Sequence, residues 1–162
     1  MEEKICAFFG HRQIDATDEL CKSLALEILK AIELGCRIFY FGGYGEFDTL
    51  CYETVTKIKD EHPELNLKRV YCVPEERYLR KKSRYFNPQD YDEVIYLQKS
   101  FDGWYKSIYF RNCAMMDNSD YLIFYAEQRQ TSGAYKAYKY ARLKKKKGII
   151  NLYSKLKEKE QS

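Results

Sequence analysis

Six short apolar runs alternate along this chain with longer segments of helical period, and few architectures accept that order. The runs cover residues 5–9, 37–41, 69–73, 93–97, 121–125 and 149–153. The first is continuous in its hydrophobicity and ends at Gly10, as a buried strand does. The helical segment after it opens at Asp15 or Thr17 and stops at Gly35. Its stripe is Leu20, Leu24, Ile28, Ala31 and Ile32. A second helix places Phe47, Cys51, Val55 and Ile58 on one face and ends before Pro63.

Residues 75–92 are charged and hold a short helix at most. A third helix is expected over 104–117, with Ile108, Met115 and Met116 on one face. The last carries Ala134, Ala137, Tyr138 and Ala141 inward. Parallel strands need crossovers, and helices supply them. The expected fold is therefore α/β: a doubly wound, mostly parallel sheet of about six strands in a single domain over residues 1–154, with a charged tail over 155–162.

At 162 residues and 45% hydrophobic composition, the chain can bury a real core, which excludes a disordered segment. No apolar run reaches the roughly 20 residues that span a bilayer. The start, Met1-Glu2-Glu3-Lys4, is acidic where a secretory signal is basic, so a cytoplasmic location without membrane contact is expected. The six cysteines form no Cys-x-x-Cys pair and sit among apolar neighbours. They read as buried free thiols of a reducing compartment, and neither metal nor cofactor is expected. The net charge of +4 comes largely from lysines near the C-terminus, which is weak support for a nucleic-acid partner.

Three strand ends carry small, polar turns. Gly42, Gly43 and Gly45 crowd into four residues after the second run, immediately before a helix. Such a turn offers backbone N–H groups and a helix N-terminus to phosphate, or else only supplies positive φ. Glu46 and Asp48 suit the helix start, and either can meet ribose hydroxyls or serve as a general base. Gly10-His11-Arg12 ends the first strand, where His11 and Arg12 can grip an anion. Thr131-Ser132-Gly133 precedes the last helix, as an N-cap or a phosphate turn. Arg111 and Asn112 fall in an apolar helical stripe. A buried guanidinium wants a partner, which is either Asp120 at the mouth of the fifth strand or a ligand phosphate. In a doubly wound sheet the three turns belong in one cleft at the carboxyl ends of the strands.

Phe8-Phe9-Gly10-His11-Arg12, Gly42-Gly43-x-Gly45-x-x-Asp48, Arg111-Asn112-x-x-Met115-x-x-x-Ser119-Asp120 and the Gly133 turn occur in an order that resembles the SLOG superfamily. These Rossmann-like domains link the DNA-processing protein DprA to the Lonely Guy phosphoribohydrolases. The chain looks most similar to the YpsA-like branch of small bacterial proteins, over residues 5–152. The resemblance implies a site for nucleotides or nucleotide-derived ligands, and homodimers. Arg111 stands where the hydrolases carry their Arg, but the loop Thr131-Ser132-Gly133-Ala134-Tyr135-Lys136-Ala137 lacks their catalytic Glu.

The leading expectation is nucleotide binding, as sensor or enzyme. The amides of Gly43, Gly45 and Gly133 would hold phosphate, Arg12 and Arg111 would neutralise it, and Asp48 or Glu46 would meet the sugar. Alternatives are an N-glycoside hydrolase of nucleotides, with Arg111, Glu46 and Asp48 as candidate catalytic residues, and a DprA-like nucleic-acid-binding module. Tyr135, Tyr138 and Tyr140 cannot share one helix face, so part of that aromatic surface is expected to be exposed or to meet a partner.

Overall fold

β1 (Lys4–Gly10) lies where the chain reverses its progress across a six-stranded sheet of order β4-β3-β2-β1-β5-β6. The computed structural model describes residues 2–82, 87–98, 106–129, 132–144 and 148–161. From β1 the chain moves one way through α1 (Asp18–Glu33), β2 (Cys36–Phe41), α2 (Glu46–Glu61), β3 (Lys68–Cys72) and β4 (Glu93–Ile95). It then returns through α3 (Ser107–Asp117) to β5 (Tyr121–Tyr125) on the other side of β1. α4 (Gly133–Lys144), β6 (Ile149–Asn151) and α5 (Leu152–Gln161) complete it. Every strand pair is parallel. The result is a Rossmann-like, doubly wound α/β fold.

Alternation along the strands builds two cores. Cys6, Phe8, Phe39, Phe41 and Ile123 face α1, α2 and α5, while Ala7, Phe9, Val70, Leu122 and Phe124 face α3 and α4. Each large side chain so buried contributes about 1.5–3 kcal/mol. The expected α1 stripe is buried throughout, and Thr17 Oγ1 caps the helix by accepting the Leu20 N–H at 3.1 Å. All six cysteines are free thiols. No helix among the described residues is long and apolar enough to cross a membrane.

As expected of a charged stretch that holds a short helix at most, the described residues of 75–92 form 3-10 turns at Glu76–Tyr78 and Pro88–Asp90. The start expected for the third helix, at 104, lies outside the described residues. β6 ends at Asn151, and the segment read as a charged tail coils into α5. The reason is a single buried carboxylate. Glu27, 1% exposed on α1, receives Lys155 Nζ at 2.6 Å and the Tyr121 hydroxyl at 3.1 Å, while Leu152 enters the core. Burial pushes the Glu27 carboxyl up, but those hydrogen bonds and the charges of Lys155 and Lys30 outweigh it and leave it below its ordinary value.

The α4 tyrosines are half-buried rather than bare. Tyr138 packs edge-on against Phe124, and the Tyr140 hydroxyl donates to Asp117 at 3.1 Å.

Candidate functional site

The loops leaving β1, β2 and β5 enclose a cleft of about 560 Å³ at the carboxyl edge of the sheet. It opens where the strand order reverses, between β1 and β5. Gly10, Gly42 and Gly133 all contribute to its wall, so the three turns meet at one place.

The glycine loop is shaped by close approaches. Gly43 has φ +69°, and a Cβ there would lie 1.9 Å from the Tyr71 ring. Gly45 has φ +103°, and its Cβ would lie 2.8 Å from Arg12 Cα. Their amides do not all await phosphate, contrary to expectation. Asp48, one turn into α2, accepts the Gly42 N–H at 3.1 Å and the Gly43 N–H at 3.0 Å. Burial pushes the Asp48 carboxyl up to about 6, against the lowering effect of these bonds and of Arg111. Asp48 therefore lines the cleft as a group that exchanges a proton near neutrality.

Arg111 is 5% exposed and lines the cleft from α3. Its Nη1 donates to Gly42 O at 2.9 Å and to Cys72 O at 3.4 Å, and its Nε donates to Asn112 Oδ1 at 3.2 Å. The carboxylate beside it is Asp48, not Asp120. Asp120 precedes β5 and accepts the Ile5 N–H at 2.9 Å, which puts it at the amino edge of the sheet, away from the cleft. The whole length of a strand separates it from Arg111. Ile108 also departs from its expected face: it is 46% exposed and lines the cleft mouth, while Met115 and Met116 are buried.

His11, 7% exposed, uses both ring nitrogens within the protein. Nε2 accepts the Glu127 N–H at 2.8 Å, and Nδ1 lies 3.2 Å from Ser132 Oγ. A ring nitrogen that accepts a backbone N–H carries no proton, so the proton of the neutral imidazole sits on Nδ1 and is donated to Ser132. Desolvation and the charge of Arg129 keep the ring below its ordinary pKa, with Glu127 opposing. The pair thus resembles a Ser–His dyad in distance only, because this tautomer cannot take the serine proton. Ser132 Oγ also caps α4 by accepting the Tyr135 N–H at 3.1 Å. Thr131 lies outside the described residues.

Arg12 lines the cleft with its guanidinium 4.2 Å from the centre of the Tyr44 ring. Glu46 is exposed and is not part of the cleft wall, its carboxylate accepting the Ile14 N–H at 2.7 Å. Arg129 lines the cleft beside the α4 turn and is paired with Glu127. Sequence reasoning missed Arg129 and Tyr44. The signal for Arg129 was its place just before a small-residue helix start; Tyr44 stood between the glycines.

Comparison with protein-family models and with curated proteins returned no match for this chain.

Proposed function

We propose that this cleft binds a nucleotide or nucleotide-derived anion. The observation that carries the reading is the charge of the wall: Arg12, Arg111 and Arg129 line it, and among the described lining residues Asp48 is the one carboxylate, with Glu127 pairing Arg129 from beside the cleft. A cleft of about 560 Å³ suits a small phosphorylated ligand, and the switch point of a parallel sheet is where such ligands bind. Because Asp48 occupies the Gly42 and Gly43 amides, phosphate belongs at the other end, against Arg129, Ser132 and the N-terminus of α4. Asn112 and Asp48 face the sugar. The resemblance to the YpsA-like branch of the SLOG superfamily supports this reading and extends it to a cytoplasmic, bacterial homodimer.

A thermal-shift panel of nucleoside mono- and diphosphates, cyclic nucleotides and ADP-ribose-type compounds tests it. A ligand at 100 times its Kd stabilises the fold by about 2.7 kcal/mol, which raises Tm by roughly 5–10 °C. No shift with any of them at millimolar concentration overturns the reading. Light scattering at tens of micromolar protein tests the homodimer, and a monomer mass rejects it.

One observation favours a second reading, hydrolysis of the N-glycosidic bond of a nucleotide. Asp48 carries a carboxyl near pKa 6 in the cleft, able to pass a proton to a departing base while water adds to the sugar. Glu46 plays no such part, being committed to the Ile14 amide. Release of free base by the wild type and its loss in Asp48→Asn support this activity; intact nucleotide after long incubation excludes it.

A further inference from the structure

We propose that Arg12 and Tyr44 form the surface on which the base of the ligand stacks, and that Glu46 is the positioning residue that holds this surface in place. The inference rests on the reading of the cleft as a nucleotide site and adds what that site grips besides phosphate.

Both side chains line the cleft, with the Arg12 guanidinium 4.2 Å from the Tyr44 ring centre. A guanidinium is planar, delocalised and weakly hydrated, so a guanidinium and a phenol stacked together offer flat faces that accept any nucleobase. An exposed arginine on a loop ordinarily samples many rotamers, and a platform of that kind needs its loops fixed.

Here they are sewn together. The Glu46 N–H donates to Arg12 O at 2.8 Å, and the Glu46 carboxylate accepts the Ile14 N–H at 2.7 Å. These two bonds bracket Gln13 and tie the β1–α1 loop to the start of α2. Gly45 permits the approach, because any side chain there would strike Arg12 Cα. The stack is thus held before a ligand arrives, which cuts the ordering cost of binding.

The platform also stands at the right end of the cleft. It is carried by the loops of β1 and β2, whereas Arg129, Ser132 and the start of α4 follow β5. β1 lies between β2 and β5, so the strand leading to Tyr44 is about 10 Å from β5 and the strand leading to Arg12 about 5 Å from it. A sugar bridges a base on one side and a phosphate on the other. Ribose 5-phosphate reaches only the second.

Titration calorimetry of the whole chain with the four common nucleoside monophosphates and with ribose 5-phosphate tests this. At least one nucleotide is expected to bind about 5- to 150-fold more tightly than ribose 5-phosphate, the range that one stacked base supplies. Tyr44→Ala is expected to erase that ratio, and Tyr44→Phe to keep it. Glu46→Ala is expected to lower the ratio, and Glu46→Gln, whose side-chain oxygen still accepts the Ile14 N–H, to restore it. Circular dichroism establishes that each variant is folded. Equal affinity of the wild type for all five ligands, or an undiminished ratio in Tyr44→Ala, overturns the platform and leaves the cleft reading standing. Absence of binding by every probe overturns both.

Discussion

Asp48 and Arg111 hold the two sides of one peptide group. Asp48 accepts the N–H of Gly43 at 3.0 Å, and Arg111 donates to the carbonyl of Gly42 at 2.9 Å. Three segments distant in sequence are joined at that peptide: the end of β2, the first turn of α2 and the middle of α3. The cleft wall is therefore also a point of tertiary closure.

Asp48 makes stability depend on pH in an unusual direction. Its folded pKa of about 6 lies above the ordinary carboxylate value, so the native state binds the proton more tightly than the unfolded chain. The cost of ionising it is fully present above pH 6 and disappears as pH falls towards 4; two units correspond to on the order of 2–3 kcal/mol. Asp48→Asn cannot ionise. Urea unfolding at pH 7.5 and at pH 5 should show the variant gaining on the wild type at the higher pH. A stability difference that is the same at both values rejects the assignment.

Arg111→Ala strands the Gly42 and Cys72 carbonyls and leaves Asp48 without its cation. A loss of about 3 kcal/mol is expected, with Arg111→Lys recovering part of it through one donor. Chemical denaturation reads the first effect. Anion affinity of the surviving folded protein, measured by calorimetry, is expected to fall at least tenfold in both. A silent Arg111→Ala contradicts the burial and hydrogen bonding described above.

Two glycines of the cleft are expected to behave oppositely. Gly43→Ala puts a methyl carbon into the Tyr71 ring on a left-handed backbone and should cost about 2–3 kcal/mol. Nothing stands within 4 Å of a Cβ at Gly133, so Gly133→Ala should leave stability within about 0.5 kcal/mol of wild type or raise it slightly. Melting curves of the pair settle the contrast, and equal effects refute it.

Lys155→Met tests the attachment of α5. Lys155 is partly exposed, and Lys30 and Tyr121 remain near Glu27, so the loss at neutral pH is expected to be about 2–3 kcal/mol rather than the full cost of a stranded buried charge. Glu27 has a depressed folded pKa, so its contribution is present above the unfolded carboxylate value and vanishes as pH falls through the folded one. The deficit of the variant should shrink below about pH 4. A deficit independent of pH in unfolding curves counts against the ion pair.

The sheet was legible because buried parallel strands and amphipathic helices have different periods, and Gly10, Gly35 and Pro63 punctuate them. The convergence of the glycine turns followed from topology alone. What escaped was side-chain commitment. Nothing in the spacing of Asp48 from Gly42 reveals that its carboxylate curls back onto the loop's own amides. Asp120 looked like a mouth residue because it adjoins a strand, but adjacency does not distinguish the amino edge from the carboxyl edge until strand direction is considered. α5 was hidden by composition: only Leu152 and Leu156 mark its inner face, and a lysine-glutamate background masks so short a stripe.

The Glu27–Lys155 contact has a consequence for how the molecule comes into being. The two residues are 128 positions apart, so while the chain is being synthesised the acid emerges long before its base. A folding intermediate of β1 to β4 with α1 and α2 would leave Glu27 open to water with Lys30 beside it, and one edge of β1 would stay open until β5 arrived. Closure of this side of the core thus waits on β5 and α5, the elements that bring Tyr121 and Lys155 to Glu27.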